Sequence, residues 1–142
     1  MKMNDLDLAK KELDKVKVNI AFAKDGEIIF CSSDDGIRGF ISAIKKFGEK
    51  LNDSSVADRI AGRVVALLCI YVGIKSVFAE VMSDGCRDAL QKSGVAFEYK
   101  RVVPKILNKY KNDVCPLERL VLKIENPQIA FEKLDEFLNP SV

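Results

Sequence analysis

The fold class is indicated mainly by residues 16–31, which have the sequence VKVNIAFAKDGEIIFC. Apolar and polar residues alternate from Val16 to Phe22, which is the period-two pattern of a half-buried β-strand. The dipeptide Asp25-Gly26 follows, and it favours the positive φ angles of a tight hairpin turn. Residues 27–31 are predicted to return as the second strand. We therefore expect an antiparallel hairpin near the N-terminus.

Helical patterns lie on both sides of this hairpin. Leu6, Ala9 and Leu13 are spaced for one face of a short helix, and an amphipathic helix is predicted after Gly36. A further helix is predicted over 56–72, because Asp53, Ser54 and Ser55 are candidate caps and the residues after position 64 are apolar. Nothing polar marks a solvent face on the last half of that helix. We expect it to be buried on most sides.

The C-terminal half alternates between strands and helices. We predict a strand over 76–82, a helix over 84–93, a strand over 97–103, and helices that begin at Cys115 and at Asn126. Strands separated by helices pair in parallel through right-handed crossovers. The expected fold is α/β: a single domain over 1–142, built as a three-layer α/β/α sandwich whose mixed sheet includes the antiparallel hairpin.

Composition narrows the classes of function. The chain has 142 residues and a formal net charge of +2, which does not favour electrostatic binding to nucleic acid or to an anionic membrane. Its longest apolar run, 64–72, is too short to span a bilayer. No signal peptide is recognisable, and the four cysteines form no Cys-x-x-Cys pair, which suits a reducing cytoplasm. Cys31 and Cys69 lie among apolar neighbours and are expected in the core.

The absence of histidine is the most restrictive property of the sequence. A chain without imidazole contains no Ser-His-Asp or Cys-His catalytic group, and no histidine ligand for zinc. Any acid–base chemistry therefore has to use carboxyl, thiol, amine or phenol groups.

Three segments carry a resemblance to a known family: Gly36-Ile37-Arg38, the run 55–62 (SVADRIAG), and Cys115-Pro116-x-Glu118. Over nearly its whole length the chain resembles an uncharacterised prokaryotic family of unknown function with a cytidine-deaminase-like fold. The resemblance implies that fold and carries no settled activity.

Zinc-dependent deaminases of this fold use a His-x-Glu motif and a Pro-Cys-x-x-Cys motif at the starts of two helices. By this resemblance Val56-Ala57-Asp58 stands where His-x-Glu would be, and Ser83-Asp84-Gly85-Cys86 stands near the cysteine motif. Only one thiol and a shorter acid remain, whereas catalytic zinc normally has three protein ligands. We therefore expect no zinc-dependent deamination, no bound metal and no cofactor.

The candidate catalytic residues are Asp58 and Cys115, and the candidate ligand-binding residues are Arg38, Ser55, Arg63 and Glu118. Four of these residues have a plainer interpretation. Asp58 would stabilise the first turn of a helix through the macrodipole, and Arg63 would pair with an acid of the protein. Cys115-Pro116-x-Glu118 would simply begin a helix with Glu118 in the capping-box position. A thiol at such a helix start is otherwise favoured as thiolate.

Three hypotheses of function follow. The first is a protein without zinc chemistry that binds a small, nucleotide-like ligand in the cleft of the fold. The second is a non-zinc enzyme in which Cys115 is a nucleophile or redox thiol. The third is a homo-oligomeric scaffold with a vestigial pocket, because the apolar helix would need a partner surface to cover it.

Overall fold

The computed structural model describes residues 3–15, 17–34 and 37–140; Val16 and Gly36, which the sequence assigned to a strand and to a helix start, lie outside them. The elements in chain order are α1 (Asp5–Leu13), β1 (Ile20–Lys24), β2 (Glu27–Ser32), α2 (Arg38–Phe47), a 3₁₀ turn (Gly48–Leu51), β3 (Ser55–Ala61), α3 (Arg63–Val72), β4 (Ser76–Ser83), α4 (Asp84–Lys92), β5 (Ala96–Val103), α5 (Pro116–Leu120) and α6 (Pro127–Leu138).

Five strands form one mixed sheet in the order β2-β1-β3-β4-β5. β1 is antiparallel to β2 and to β3, whereas β3, β4 and β5 are parallel to one another. The predicted hairpin is confirmed, although Lys17, Val18 and Asn19 lie outside its first strand, which begins only at Ile20; both turn residues have positive φ, 53° at Asp25 and 82° at Gly26. The carboxylate of Asp5 accepts hydrogen bonds from the backbone N–H groups of these two residues, which fixes α1 against the turn.

Helices cover both faces of the sheet, as expected. On one face α1 packs Ala9 and Leu13 against small strand residues and Phe78. The larger cluster, on the other face, joins the sheet to α2, α3, α4 and α6. The two clusters take alternate residues of the same strands, for example Val56 for the larger one and Ala57 for the one beneath α1.

The predicted helix over 56–72 is wrong in its first half. Residues 55–61 are β3, which pairs with β1 on one side and β4 on the other, and the helix begins only at Arg63. The cause is that β3 is a central strand with both faces covered from Ser55 to Asp58, so apolar and polar residues do not alternate along it, and periodicity does not distinguish it from the start of a buried helix. The predicted end of the helix is confirmed, since Gly73 has φ of 75° at the C-cap.

The remaining helix starts follow the sequence. Cys115 is the N-cap residue of α5 with Pro116 in the first turn, and the side chain of Asn126 caps α6 by accepting from Ile129 N–H at 3.1 Å.

α3 is covered within the chain, because all its residues from Val64 to Cys69 are buried. Its apolar character therefore does not call for a partner subunit. None of the helices in the described residues has the length and apolar character needed to cross a membrane.

Candidate functional site

A cleft of about 410 Å³ lies beyond the carboxyl end of β3, where the chain passes into α3. Open α/β sheets commonly place ligands at this edge. A long connection, residues 104–126 between β5 and α6, forms the opposite wall and is called the strap below. Polar and thiol groups of the wall are Asn19, Asp58, Arg59, Lys109, Cys115 and Glu118, and most of the remainder is aliphatic.

Asp58 is the polar group most affected by this environment. Its side chain lies on β3 and the residue is only 7% exposed. Its neighbour Arg59 does not neutralise it at close range, because that guanidinium is directed at Glu80, 3.0 Å away. Burial raises the pKa of Asp58 to about 7, although the N–H groups of Ile60 and Arg59 and the Arg59 charge act in the opposite direction.

Asp58 is therefore a carboxyl group that exchanges its proton near neutral pH. Such a group can donate a hydrogen bond when protonated, accept two or more when ionised, and transfer a proton to or from a bound molecule. The prediction that Asp58 lies in the first turn of a helix is wrong, since it is a strand residue. Stabilisation of a helix dipole consequently does not account for it.

Glu118 reaches from the strap to the first turn of α3. Its two carboxylate oxygens accept hydrogen bonds from Arg63 N–H at 2.8 Å and from Val64 N–H at 3.1 Å. These N–H groups have no acceptor within their own helix, so Glu118 provides a cap from another part of the chain. Burial raises the pKa of Glu118, while the two N–H groups and the nearby charge of Arg63 lower it.

Gly62 makes this cap sterically feasible. A Cβ atom built at Gly62 would fall on the carboxyl group of Glu118. Its φ of −101° is open to any residue, so glycine is required here for space and not for backbone conformation. The sequence placed Glu118 in the capping box of its own helix, α5. The structure shows instead that it caps α3.

Cys115 lies in the cleft wall and is partly exposed. Its backbone N–H donates to the carbonyl of Ile106 at 3.0 Å, which holds the start of α5 across the strap. Asp58, Cys115 and Glu118, three of the residues singled out in the sequence, thus share one cleft.

The other predicted ligand-binding residues lie elsewhere. Ser55 is at the amino end of β3, away from the cleft, and its Oγ is 2.7 Å from Ser76 Oγ. Arg38 is exposed at the start of α2 and lines a separate surface depression. Arg63 faces a second cavity beside the cleft, where its guanidinium donates to the carbonyls of Val121 and Ile124. The hydrogen-bond partners of the Arg63 guanidinium are therefore backbone carbonyls, whereas the sequence suggested an acidic side chain.

Arg59 and Arg63 are four residues apart in the sequence but do not share a helix face, because β3 ends before Gly62 and α3 begins after it. Arg59 instead extends toward α1, with Nε donating to Val18 O at 2.9 Å and Nη2 to Leu13 O at 2.6 Å. It fixes the C-terminal end of α1 to the sheet.

Sequence reasoning missed Asn19, Lys109 and the aliphatic strap residues Ile106 and Leu107 of the cleft wall. No local signal identified them, because loop residues acquire their neighbours only when the strap folds back over β3.

The cysteines also differ from expectation. Cys69 is buried as predicted, but Cys31 is exposed because it lies on the outer strand β2 of the sheet. Cys86 is buried on α4, and burial raises the pKa of both the Cys69 and Cys86 thiols. These two are therefore unreactive thiols in the folded chain.

The deaminase correspondence needs correction at one motif. Val56-Ala57-Asp58 lies inside β3, so it does not occupy a helix start. Ser83-Asp84-Gly85-Cys86 does begin a helix, with Ser83 Oγ accepting from Cys86 N–H at 3.0 Å. Across the described residues, no three Cys, Asp or Glu side chains are grouped so that they could hold a metal ion.

Comparison with known proteins gives a family and a solved relative. A family model described as "Domain of unknown function (DUF1893)" matches residues 8–138. A DUF1893 family protein from Thermotoga maritima, known from a crystal structure, is 26% identical to this chain in sequence. The two structures superimpose with a TM-score of 0.84, and the match covers 94% of this chain and 90% of the other. No curated protein matches the chain.

Proposed function

The chain belongs to the DUF1893 family of domains of unknown function, and we propose that its cleft binds a small neutral heterocycle of the nucleobase type. Asp58 is the group that recognises the ligand. The protein is, in this proposal, a ligand-binding domain of cytidine-deaminase-like architecture that does not use zinc.

Asp58 is the observation that carries the proposal. A carboxyl group with a pKa of about 7 is substantially protonated in neutral solution, so it presents an O–H donor beside a carbonyl acceptor. The edge of a nucleobase also presents a donor beside an acceptor, and proteins that bind extracted bases recognise that edge by hydrogen bonds. The two groups are complementary without the burial of a net charge.

The rest of the cleft suits the faces of a flat ring. Its volume of about 410 Å³ falls within the usual range for small-molecule sites, which are largely apolar with a few placed polar groups. Ile37, Val64, Val65 and Leu117 supply apolar wall, and Asn19, whose Nδ2 donates to Ser33 O at 2.9 Å, is a further polar residue of the lining. The apolar faces of a ring in this position would be removed from water and would contact the aliphatic wall, which favours binding.

The deaminase-like architecture is supported by the order of elements from the hairpin through α2, β3, α3, β4, α4 and β5, and by the site beyond the carboxyl end of β3. Zinc chemistry is not part of the proposal, because the chain has no histidine and its remaining motif thiol, Cys86, is buried.

The proposal is tested by calorimetric titration with uridine, cytidine, adenosine and guanosine at several pH values. We expect one or more of these nucleosides to bind, with an affinity that falls as pH rises through about 7, because the Asp58 proton is lost. In Asp58→Asn the amide retains a donor and an acceptor but does not titrate, so binding should persist without that pH dependence.

Two variants provide the limits of this test. Asp58→Leu, of similar size but without polar atoms, should abolish binding. Asp88→Asn removes an exposed carboxylate on α4 outside the cleft and should change nothing. The proposal fails if no nucleoside binds, or if Asp58→Leu binds as tightly as the wild type.

A second candidate function rests on the position of Cys115 in the same cleft as Asp58. In this alternative the Cys115 thiol is the nucleophile and Asp58 accepts its proton. Alkylation of the folded protein with iodoacetamide should then modify Cys115 much faster than the exposed Cys31, and Asp58→Leu should remove the difference. Faster modification of Cys31 would count against a thiol mechanism.

A further inference from the structure

A second cavity, of about 270 Å³, adjoins the cleft and is called the side cavity here. Ile106 and Glu118 belong to the walls of both, so the two spaces lie on either side of these strap residues. The floor of the side cavity is formed by the starts of α3 and α4, through Arg63, Ser83 and Gly85.

The side cavity has an excess of positive charge. Arg63, Lys105 and Arg119 line it, whereas Glu118 is its one carboxylate and has both oxygens bonded to the backbone of α3. Arg119 is compensated by Asp113 at 2.6 Å. Within residues 3–15, 17–34 and 37–140 the ammonium group of Lys105 has no carboxylate partner.

Besides these cationic side chains, two uncharged residues, Ser83 and Gly85, lie where hydrogen-bond donors could face an anion. Ser83 is 3% exposed and its Oγ accepts from Cys86 N–H, so its own hydroxyl proton is free to be donated. Gly85 has no side chain to cover the adjacent first turn of α4, and an added Cβ would meet only ordinary contacts, the nearest at 3.7 Å. The cavity thus combines hydrogen-bond donors with three cationic side chains, and its one carboxylate, Glu118, already accepts hydrogen bonds from the first turn of α3.

We propose that the side cavity binds the phosphate group of a nucleotide-like ligand whose base lies in the cleft. Arg63 and Lys105 supply the charge and Ser83 supplies a hydroxyl donor. The inference deepens the proposed function and, for the identity of the whole ligand, rests on it. It specifies a phosphorylated ligand in preference to a neutral nucleoside.

The phosphate site is tested first by itself, with inorganic phosphate and amide resonances of the full chain measured by NMR. We expect saturable shifts at Gly85 and Arg63 with a dissociation constant of about 1–10 mM, since a small free anion makes few contacts. Lys105→Gln should weaken this binding by about fivefold. Lys133→Gln makes the same charge change at an exposed position of α6, and it should leave phosphate binding unaltered.

The second arm compares each nucleoside with its 5′-monophosphate. The monophosphate should bind at least about fivefold more tightly to the wild type, and this ratio should approach one in Lys105→Gln. Shifts no larger than those caused by chloride at equal ionic strength, or a ratio of one in the wild type, would overturn the phosphate site. Phosphate binding without any nucleoside binding would keep the site and refute the base-binding cleft.

Discussion

Gly62→Ala is the substitution that most directly tests how the strap is held against the domain. The new methyl group would occupy the position of the Glu118 carboxyl group, so either Glu118 leaves the start of α3 or the helix shifts. Backbone strain is not involved, because alanine readily adopts the φ of −101° found at this residue. The effect therefore reports on contact with one side chain.

The expected magnitude follows from the bonds that are lost. Two hydrogen bonds join the carboxylate to Arg63 N–H and Val64 N–H, and each bond to a charged group contributes about 1.5–3 kcal/mol. Water will replace part of this at a site that is not fully buried. Alanine also lowers the entropy of the unfolded chain, which returns about 0.4–1 kcal/mol. We expect the free energy of unfolding to fall by about 2–4 kcal/mol.

Urea unfolding followed by circular dichroism measures this change, and Gly85→Ala is a matched control. Gly85 is also at a helix start, but an added Cβ meets its nearest neighbour at 3.7 Å, an ordinary contact. That variant should be unchanged or more stable, by up to about 1 kcal/mol, because alanine favours the helix. Gly62→Ala should therefore lower the free energy of unfolding, whereas Gly85→Ala should not.

The decisive comparison repeats Gly62→Ala in a Glu118→Ala background. If the methyl group acts by displacing the carboxylate, most of its cost should disappear once that carboxylate is gone, giving a coupling energy of at least about 1 kcal/mol. An equal cost in both backgrounds would show that Gly62 is required for another reason, and the argument for the cap would be refuted.

Three further predictions concern the groups around the cleft and α1. Because the pKa of Asp58 is raised from 3.8 to about 7, the folded chain retains a proton that the unfolded chain releases. The free energy of unfolding should therefore fall as the pH rises from about 4 to about 7, by at most about 4 kcal/mol. Urea unfolding of Asp58→Asn across that range should lack this part of the slope, and an unchanged slope would contradict the assignment. Arg59→Leu removes the donors to Leu13 O at the end of α1 and to Val18 O in the segment after it, and should lower stability by about 2–3 kcal/mol and raise hydrogen exchange in α1 above that of α6. Thiol labelling of the native protein should modify Cys31 and leave Cys69 and Cys86 protected; early modification of either buried thiol would contradict their placement.

Local patterns were sufficient wherever neighbours in sequence decide the structure. The Asp25-Gly26 hairpin, the Asn126 cap and the helix end at Gly73 all depend on backbone angles or on bonds within a few residues. Each of these was predicted from the sequence and confirmed. The expectation of an α/β domain with a mixed sheet followed from the same elements taken in order.

The segment 55–62 shows where such patterns fail. Its apolar residues fit a buried helix as well as a buried strand, and pairing with β1 and β4 decides for the strand. Once Asp58 is placed in that strand, the helix-dipole explanation no longer applies and its position at the cleft becomes apparent. The exposure of Cys31 depends likewise on β2 being an outer strand.

The sequence by itself determined the hairpin, the helices and strands outside residues 55–61, and the absence of imidazole chemistry, because these depend on composition and on spacing over a few residues. Only the tertiary structure brought Asp58, Cys115 and Glu118 into one cleft. It also placed the Glu118 carboxylate where it accepts hydrogen bonds from the first turn of α3. The physical reason is distance along the chain. Cys115 and Glu118 come 57 and 60 positions after Asp58 in the sequence, so their meeting depends on how the strap packs over the sheet. The pKa of Asp58 is decided in the same way, because it depends on the burial that this packing creates.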